Sequence, residues 1–74
     1  MTPKAYKVSD AVTLVAKHGM TDLYINDEAR KENRLVKVCQ NWWPNGTEVA
    51  EFRLMRGKYK GNVVGWAKRP KQEK

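Results

Sequence analysis

Leu35-Val36-Lys37-Val38-Cys39-Gln40-Asn41-Trp42-Trp43 runs into Pro44-Asn45-Gly46 and out again through Thr47-Glu48-Val49-Ala50-Glu51-Phe52-Arg53-Leu54-Met55-Arg56. The first limb is rich in β-branched and aromatic residues, which suit a pleated, half-buried surface. Pro-Asn-Gly is a strong turn signal, Asn-Gly being the preferred pair of tight hairpins. In the second limb Ala50, Phe52 and Leu54 point one way and Glu51 and Arg53 the other, the period-two pattern of a strand with one buried face. A β-hairpin is therefore the centre of the fold, and the rest of the chain must supply what its apolar face packs on.

Upstream, Val8, Ala11, Val12, Val15 and Ala16 fall at helical spacing. Ser9 offers an N-cap, Asp10 suits the positive end of the helix dipole, and Gly19 fits the position after the C-cap. This predicts a helix of about ten residues, too short to stand alone in water and so packed on the sheet. Residues 1–7 read as a loose arm, with Pro3 against an early helix. Leu23-Tyr24-Ile25 reads as a short strand, followed by a charged stretch from Asn26 to Arg34. Downstream, Gly57 and Gly61 bracket a basic turn, Asn62 to Lys68 makes a last strand, and Pro70 ends it.

The expectation is thus an α+β domain with one short N-terminal helix on a three- to four-stranded antiparallel sheet. Residues 1–70 form a single small domain and residues 71–74 a solvated basic tail. The alternative is a winged helix-turn-helix, in which Thr21 or Asp22 caps a second helix through Lys31. Leu23, Ile25 and Ala29 share no clean face, which weighs against it.

Seventy-four residues allow one domain, and a chain of that size buries only about 60% of the surface its unfolded form exposes. With 41% hydrophobic and 31% charged residues, it is too apolar for a disordered tail and lacks any run long enough for a membrane helix. The first seven residues carry no apolar segment of signal-peptide type. One cysteine, Cys39, permits no internal disulfide and no multi-cysteine zinc site. A cytoplasmic protein without cofactor is expected.

Charge is unevenly placed. Residues 1–52 balance seven basic against seven acidic side chains, whereas residues 53–74 hold eight basic residues against Glu73 alone. The whole +7 net charge therefore sits in the last third. Such a field attracts polyanions, and Lys and Arg on phosphates give affinity by releasing counterions.

Catalytic parts are scarce: one Ser, one Cys and one His. Ser9 is taken as a helix cap and His18 suits a helix C-terminus. Cys39 is expected to be a buried structural thiol. The acid pairs Asp27/Glu28 and Glu48/Glu51 show no sign of a dyad with separated pKa values, so no enzyme is expected.

Aromatic and basic residues remain. Arg53, Arg56, Lys58, Lys60, Lys68 and Arg69 are candidate phosphate contacts. Tyr59, set between two lysines, and one of Trp43 or Trp66 are candidate stacking rings. Trp42 and Trp43 should face opposite ways, and Trp66 with one of that pair is expected in the core. Residues 57–65 resemble the glycine-and-lysine turn of KOW-type SH3-like ribosomal modules; the flanking pattern does not extend the likeness, and no family is assigned on it.

The function expected is a small basic nucleic-acid-binding module. The alternative is an accessory protein of phage or plasmid type that docks its basic face on an acidic surface of a larger protein, since Trp and Arg are common interface anchors. The strand from Asn62 to Ala67 could also pair edge to edge with a partner or a second copy as a homodimer. DNA and RNA are not distinguished, because no base-reading helix stands out.

Overall fold

A computed structural model describes residues 5–69. Strand β1 (Ala5–Lys7) leads directly into helix α1 (Val8–Lys17), then come strand β2 (Thr21–Ile25) and helix α2 (Asp27–Glu32). Strands β3 (Leu35–Trp42), β4 (Glu48–Leu54) and β5 (Val63–Arg69) complete the chain. The five strands make one sheet in the order β1-β3-β4-β5-β2, and every neighbouring pair is antiparallel.

The expected α+β architecture holds, a short helix packed on an antiparallel sheet. The sheet has five strands rather than three or four, because the segments flanking α1 occupy its two edges. Residues 5–7 are not a loose arm; they pair with Lys37, Val36 and Leu35. The terminal residues 1–4, Pro70 and the basic tail at 71–74 lie outside the described residues.

The central hairpin forms as read. Trp43 N–H donates to the Thr47 carbonyl at 3.0 Å and Gly46 N–H to the Trp43 carbonyl at 2.9 Å. Pro44 and Asn45 are thus the middle of the turn, and Gly46 follows at φ 89°. This is the three-residue connection with a left-handed third residue, one step longer than a two-residue Asn-Gly hairpin.

Helix α1 ends as its sequence implies and begins as it does not. At its C-terminus Gly19 N–H reaches the Ala16 carbonyl and Met20 N–H the Val15 carbonyl, a Schellman pair that needs the left-handed φ of 75° at Gly19. At its N-terminus Ser9 is inside the helix, not its cap. The cap position is Lys7, which makes no side-chain cap bond. Instead Asn33 Oδ1 accepts from Ser9 N–H at 3.0 Å, and Val8 N–H donates to the Arg34 carbonyl at 3.1 Å.

Residues 21–34 hold both a strand and a helix. Asn26 caps α2, its Oδ1 accepting from the Glu28 N–H at 2.9 Å and from the Ala29 N–H at 3.4 Å. Six residues with Ala29 as the buried one need no apolar stripe, which is why periodicity does not reveal this helix. No helix-turn-helix is formed, since β2 separates α1 from α2.

Both helices cover one face of the sheet. Val8, Ala11, Val15 and Ala29 meet Ile25, Val36, Ala50, Phe52, Leu54 and Ala67 in a single buried cluster, with Tyr6, Val12, Met20, Val38 and Val64 against its rim. Phe52 is the one aromatic ring among the buried residues. The expectation of tryptophans in the core is therefore overturned: Trp42 is 58% and Trp43 37% exposed, and Trp66 is half-buried on the other face. Trp66 pairs with Glu51 on the face that carries no helix. Trp42, on the helix side at the end of β3, is left out by length: a ten-residue helix spans about 15 Å and an eight-residue strand about 27 Å, so the hairpin end of β3 and β4 projects beyond the helix layer.

Candidate nucleic-acid interface

Strand alternation and the register define the face that no helix covers. Cys39, Glu51, Trp66 and Tyr24 lie in one row across β3, β4, β5 and β2. Toward the hairpin the next row is Asn41, Val49, Lys68 and Thr21; toward the opposite end it is Ala5, Lys37, Arg53 and Val63. The expected orientation of Glu51 and Arg53, away from Ala50, Phe52 and Leu54, is observed.

This open face has its own apolar layer. Tyr24 and Trp66 stand side by side with ring centroids 4.7 Å apart and planes tilted by 38°, within the range of favourable aromatic pairs. The Lys68 ammonium lies 5.1 Å from the centroid of Trp43, a cation–π contact that holds the charge above the sheet. Val49 points to this side and is fully buried, although it is not part of the helix-side cluster. Its neighbours therefore exclude water from the face at that point.

The approach of β2 to β5 that brings Tyr24 to Trp66 depends on Gly65. A Cβ at Gly65 would stand 2.5 Å from the Tyr24 carbonyl oxygen and 2.9 Å from Ile25 Cα. No side chain fits there without displacing the backbone. A register shift between Thr21 and Tyr24, with Asp22 at φ 52°, lets the edge strand follow the twist of β5.

The two faces differ in charge. Helices α1 and α2 hold Asp10, Asp27, Glu28 and Glu32 against Lys17, Arg30 and Lys31, so the helix layer is close to neutral. The open face carries Lys7, Lys37, Arg53 and Lys68, with Glu51 as its acid. Glu51 accepts from Arg53 Nη2 at 3.2 Å and from Asn41 Nδ2 at 3.3 Å. Glu48 belongs to the opposite face, where it accepts from Gln40 Nε2 at 2.6 Å. The two acids are therefore no dyad. Among the described residues no three His, Cys, Asp or Glu side chains are grouped to hold a metal.

The sequence-selected residues separate into three groups. Trp43, Trp66 and Lys68 share the open face. Arg56, Lys58, Tyr59 and Lys60 are exposed in the loop at residues 55–62, at the end of the sheet opposite Trp43. Tyr59 is 56% exposed and lines a groove with Asn26, Glu28 and Val64, apart from the Tyr24–Trp66 pair. Arg53 is on the open face, but its guanidinium is engaged by Glu51 and by the Gly61 carbonyl at 2.9 Å, which ties the basic loop to β4.

Arg69 does not join them. It lies on the helix-side face, donating to the His18 carbonyl and 3.9 Å from Glu48, so it clamps the end of α1 to the sheet. Cys39, expected to be buried, is half-buried on the open face. Strand β5 is interior, paired on both sides, so its edge is not free to take a partner strand or a second copy. Tyr24 and Lys37 were not singled out in the sequence. Only their pairing with Trp66 and Arg53 reveals them, and no local pattern carries that information.

Comparison with known protein families, with curated proteins and with solved structures finds no match. No helix among the described residues is long and apolar enough to cross a membrane.

Proposed function

We propose that this protein is a small basic nucleic-acid-binding module whose ligand lies on the open face of the sheet. The observation that carries the reading is a difference in charge: acids and bases nearly balance on the helices, whereas Lys7, Lys37, Arg53 and Lys68 stand against Glu51 on the face that no helix covers, with Lys68 over Trp43 and the Tyr24–Trp66 pair on the same face. Phosphates meet Lys37 and Lys68 there and Arg56, Lys58 and Lys60 in the 55–62 loop, which extends the basic surface along the strand direction. A mixed face of cations and rings suits nucleic acid because phosphate charge and base stacking are satisfied together. The reading implies a cytoplasmic location, where nucleic acid is present and a free thiol such as Cys39 stays reduced.

The test is a titration of mixed-sequence oligonucleotides at several salt concentrations, followed by anisotropy. Binding should weaken steeply with salt, as counterion release requires. Replacing Lys58 and Lys60 together by Gln should flatten the log–log slope by about two. Absence of binding to DNA and RNA at low salt overturns the reading and leaves the basic face as a docking surface for an acidic protein.

A further inference from the structure

Resting on the nucleic-acid reading above, we infer that the Tyr24–Trp66 pair is a base-stacking platform and that the ligand is single-stranded rather than duplex. Three observations lead there. The rings sit edge-strand to neighbour at 4.7 Å in the middle row of the open face, and Tyr24 is 50% exposed. In a folded domain an aromatic pair of this size ordinarily belongs to the core; here the core is on the other side of the sheet and the pair faces solvent. Cations flank the row on both sides along the strands, Lys68 toward the hairpin and Lys37 with Arg53 toward the loop. A backbone passing over the platform thus meets positive charge before and after the stacked base.

The third observation is what the molecule cannot present to a duplex. Duplex reading in the major groove needs a helix or a two-stranded ribbon that inserts between phosphates. Both helices lie on the far face and neither is basic: α1 has Asp10 with Lys17, and α2 has Asp27, Glu28 and Glu32 against Arg30 and Lys31, which gives phosphates no net attraction there. A broad sheet of five strands does not enter a groove, and the β3–β4 hairpin that projects beyond the helices carries Glu48 and Glu51 and no Lys or Arg from Val38 to Phe52. Bases within a duplex already stack on one another, and their flat faces become available only where the strand is unpaired. Trp43 has a different part: its ring supports the Lys68 ammonium and so fixes a phosphate contact rather than a base.

The experiment compares a fluorescent single strand with a duplex of the same sequence and length, with inorganic polyphosphate as a base-free polyanion. The single strand should bind at least ten-fold tighter than the duplex, quench tryptophan fluorescence, and resist displacement by polyphosphate. Tyr24→Leu should lower single-strand affinity about ten-fold or more while leaving the salt slope unchanged. Tyr24→Phe, which keeps the ring, should bind as the parent does, and an unchanged circular dichroism spectrum and cooperative urea unfolding of Tyr24→Leu show that its loss of affinity is not a failure to fold. Equal binding of duplex and single strand overturns the platform, as does full affinity in Tyr24→Leu or easy displacement by polyphosphate; in these cases the broader reading of a polyanion-binding face survives. Failure to bind either oligonucleotide overturns both.

Discussion

Asn33 does two jobs that a chain reading assigns elsewhere. Its backbone takes the left-handed conformation at φ 50° that ends α2, and its Oδ1 accepts from the Ser9 N–H that opens α1. Asn tolerates that conformation better than most residues, because its short polar side chain bonds locally. Asn33→Ala should therefore cost about 1–2 kcal/mol through lost capping and backbone strain, read in urea unfolding. Ser9→Ala should cost less than about 0.5 kcal/mol, since its side chain does not cap the helix. The opposite order would return the cap to Ser9. Ser before a helical pattern is a sound signal for a cap, but Lys7 takes that position because β1 pairing carries the chain straight into the first turn.

Strand β2 is the element on which the candidate site depends. Its backbone lies against Gly65 so closely that a methyl group at that position meets the Tyr24 carbonyl and Ile25. Gly65→Ala should destabilise the domain by about 1–3 kcal/mol, a large share of what so small a core supplies. It should also loosen β2 before the rest of the sheet, seen as faster amide exchange at Tyr24 and Ile25. Uniform loss of protection across all strands would contradict a local role for Gly65. Strand β4, by contrast, was legible from its alternation, with Ala50, Phe52 and Leu54 buried against the helices. Helix α1 was legible from its periodicity and from Gly19. Helix α2 was not, because a helix of six residues held by Asn26, Asn33 and one buried alanine leaves no periodic trace.

For the whole molecule the decisive feature is that the sheet face without helices holds Lys7, Lys37, Arg53 and Lys68 together with Tyr24 and Trp66. Position, not the number of cations, should then govern binding. Lys37→Gln, on the open face, should weaken oligonucleotide affinity and lower the salt slope by about one, whereas Lys31→Gln on α2 should change neither. Equal losses from both would mean that net charge alone attracts the ligand, without a preferred face. Chemical-shift mapping with a short single strand offers a second check, expected to follow Tyr24, Trp66 and Lys68 and to spare α1.

Local chemistry was enough for part of this. Helical spacing, turn residues and strand alternation depend on neighbours a few positions apart, so α1, the hairpin at residues 43–47 and the inward face of β4 follow from the chain alone. The excess of positive charge in the last third is a matter of composition and needs no fold. Pairing between distant segments decided the rest. Residues on either side of α1 became the two edges of the sheet, Asn33 accepted from Ser9 in the first turn of α1, 24 positions earlier, and Arg69 was drawn away to the His18 carbonyl 51 positions before it. The same pairing set Tyr24 beside Trp66, and strand alternation turned both away from the helices that cover the other face.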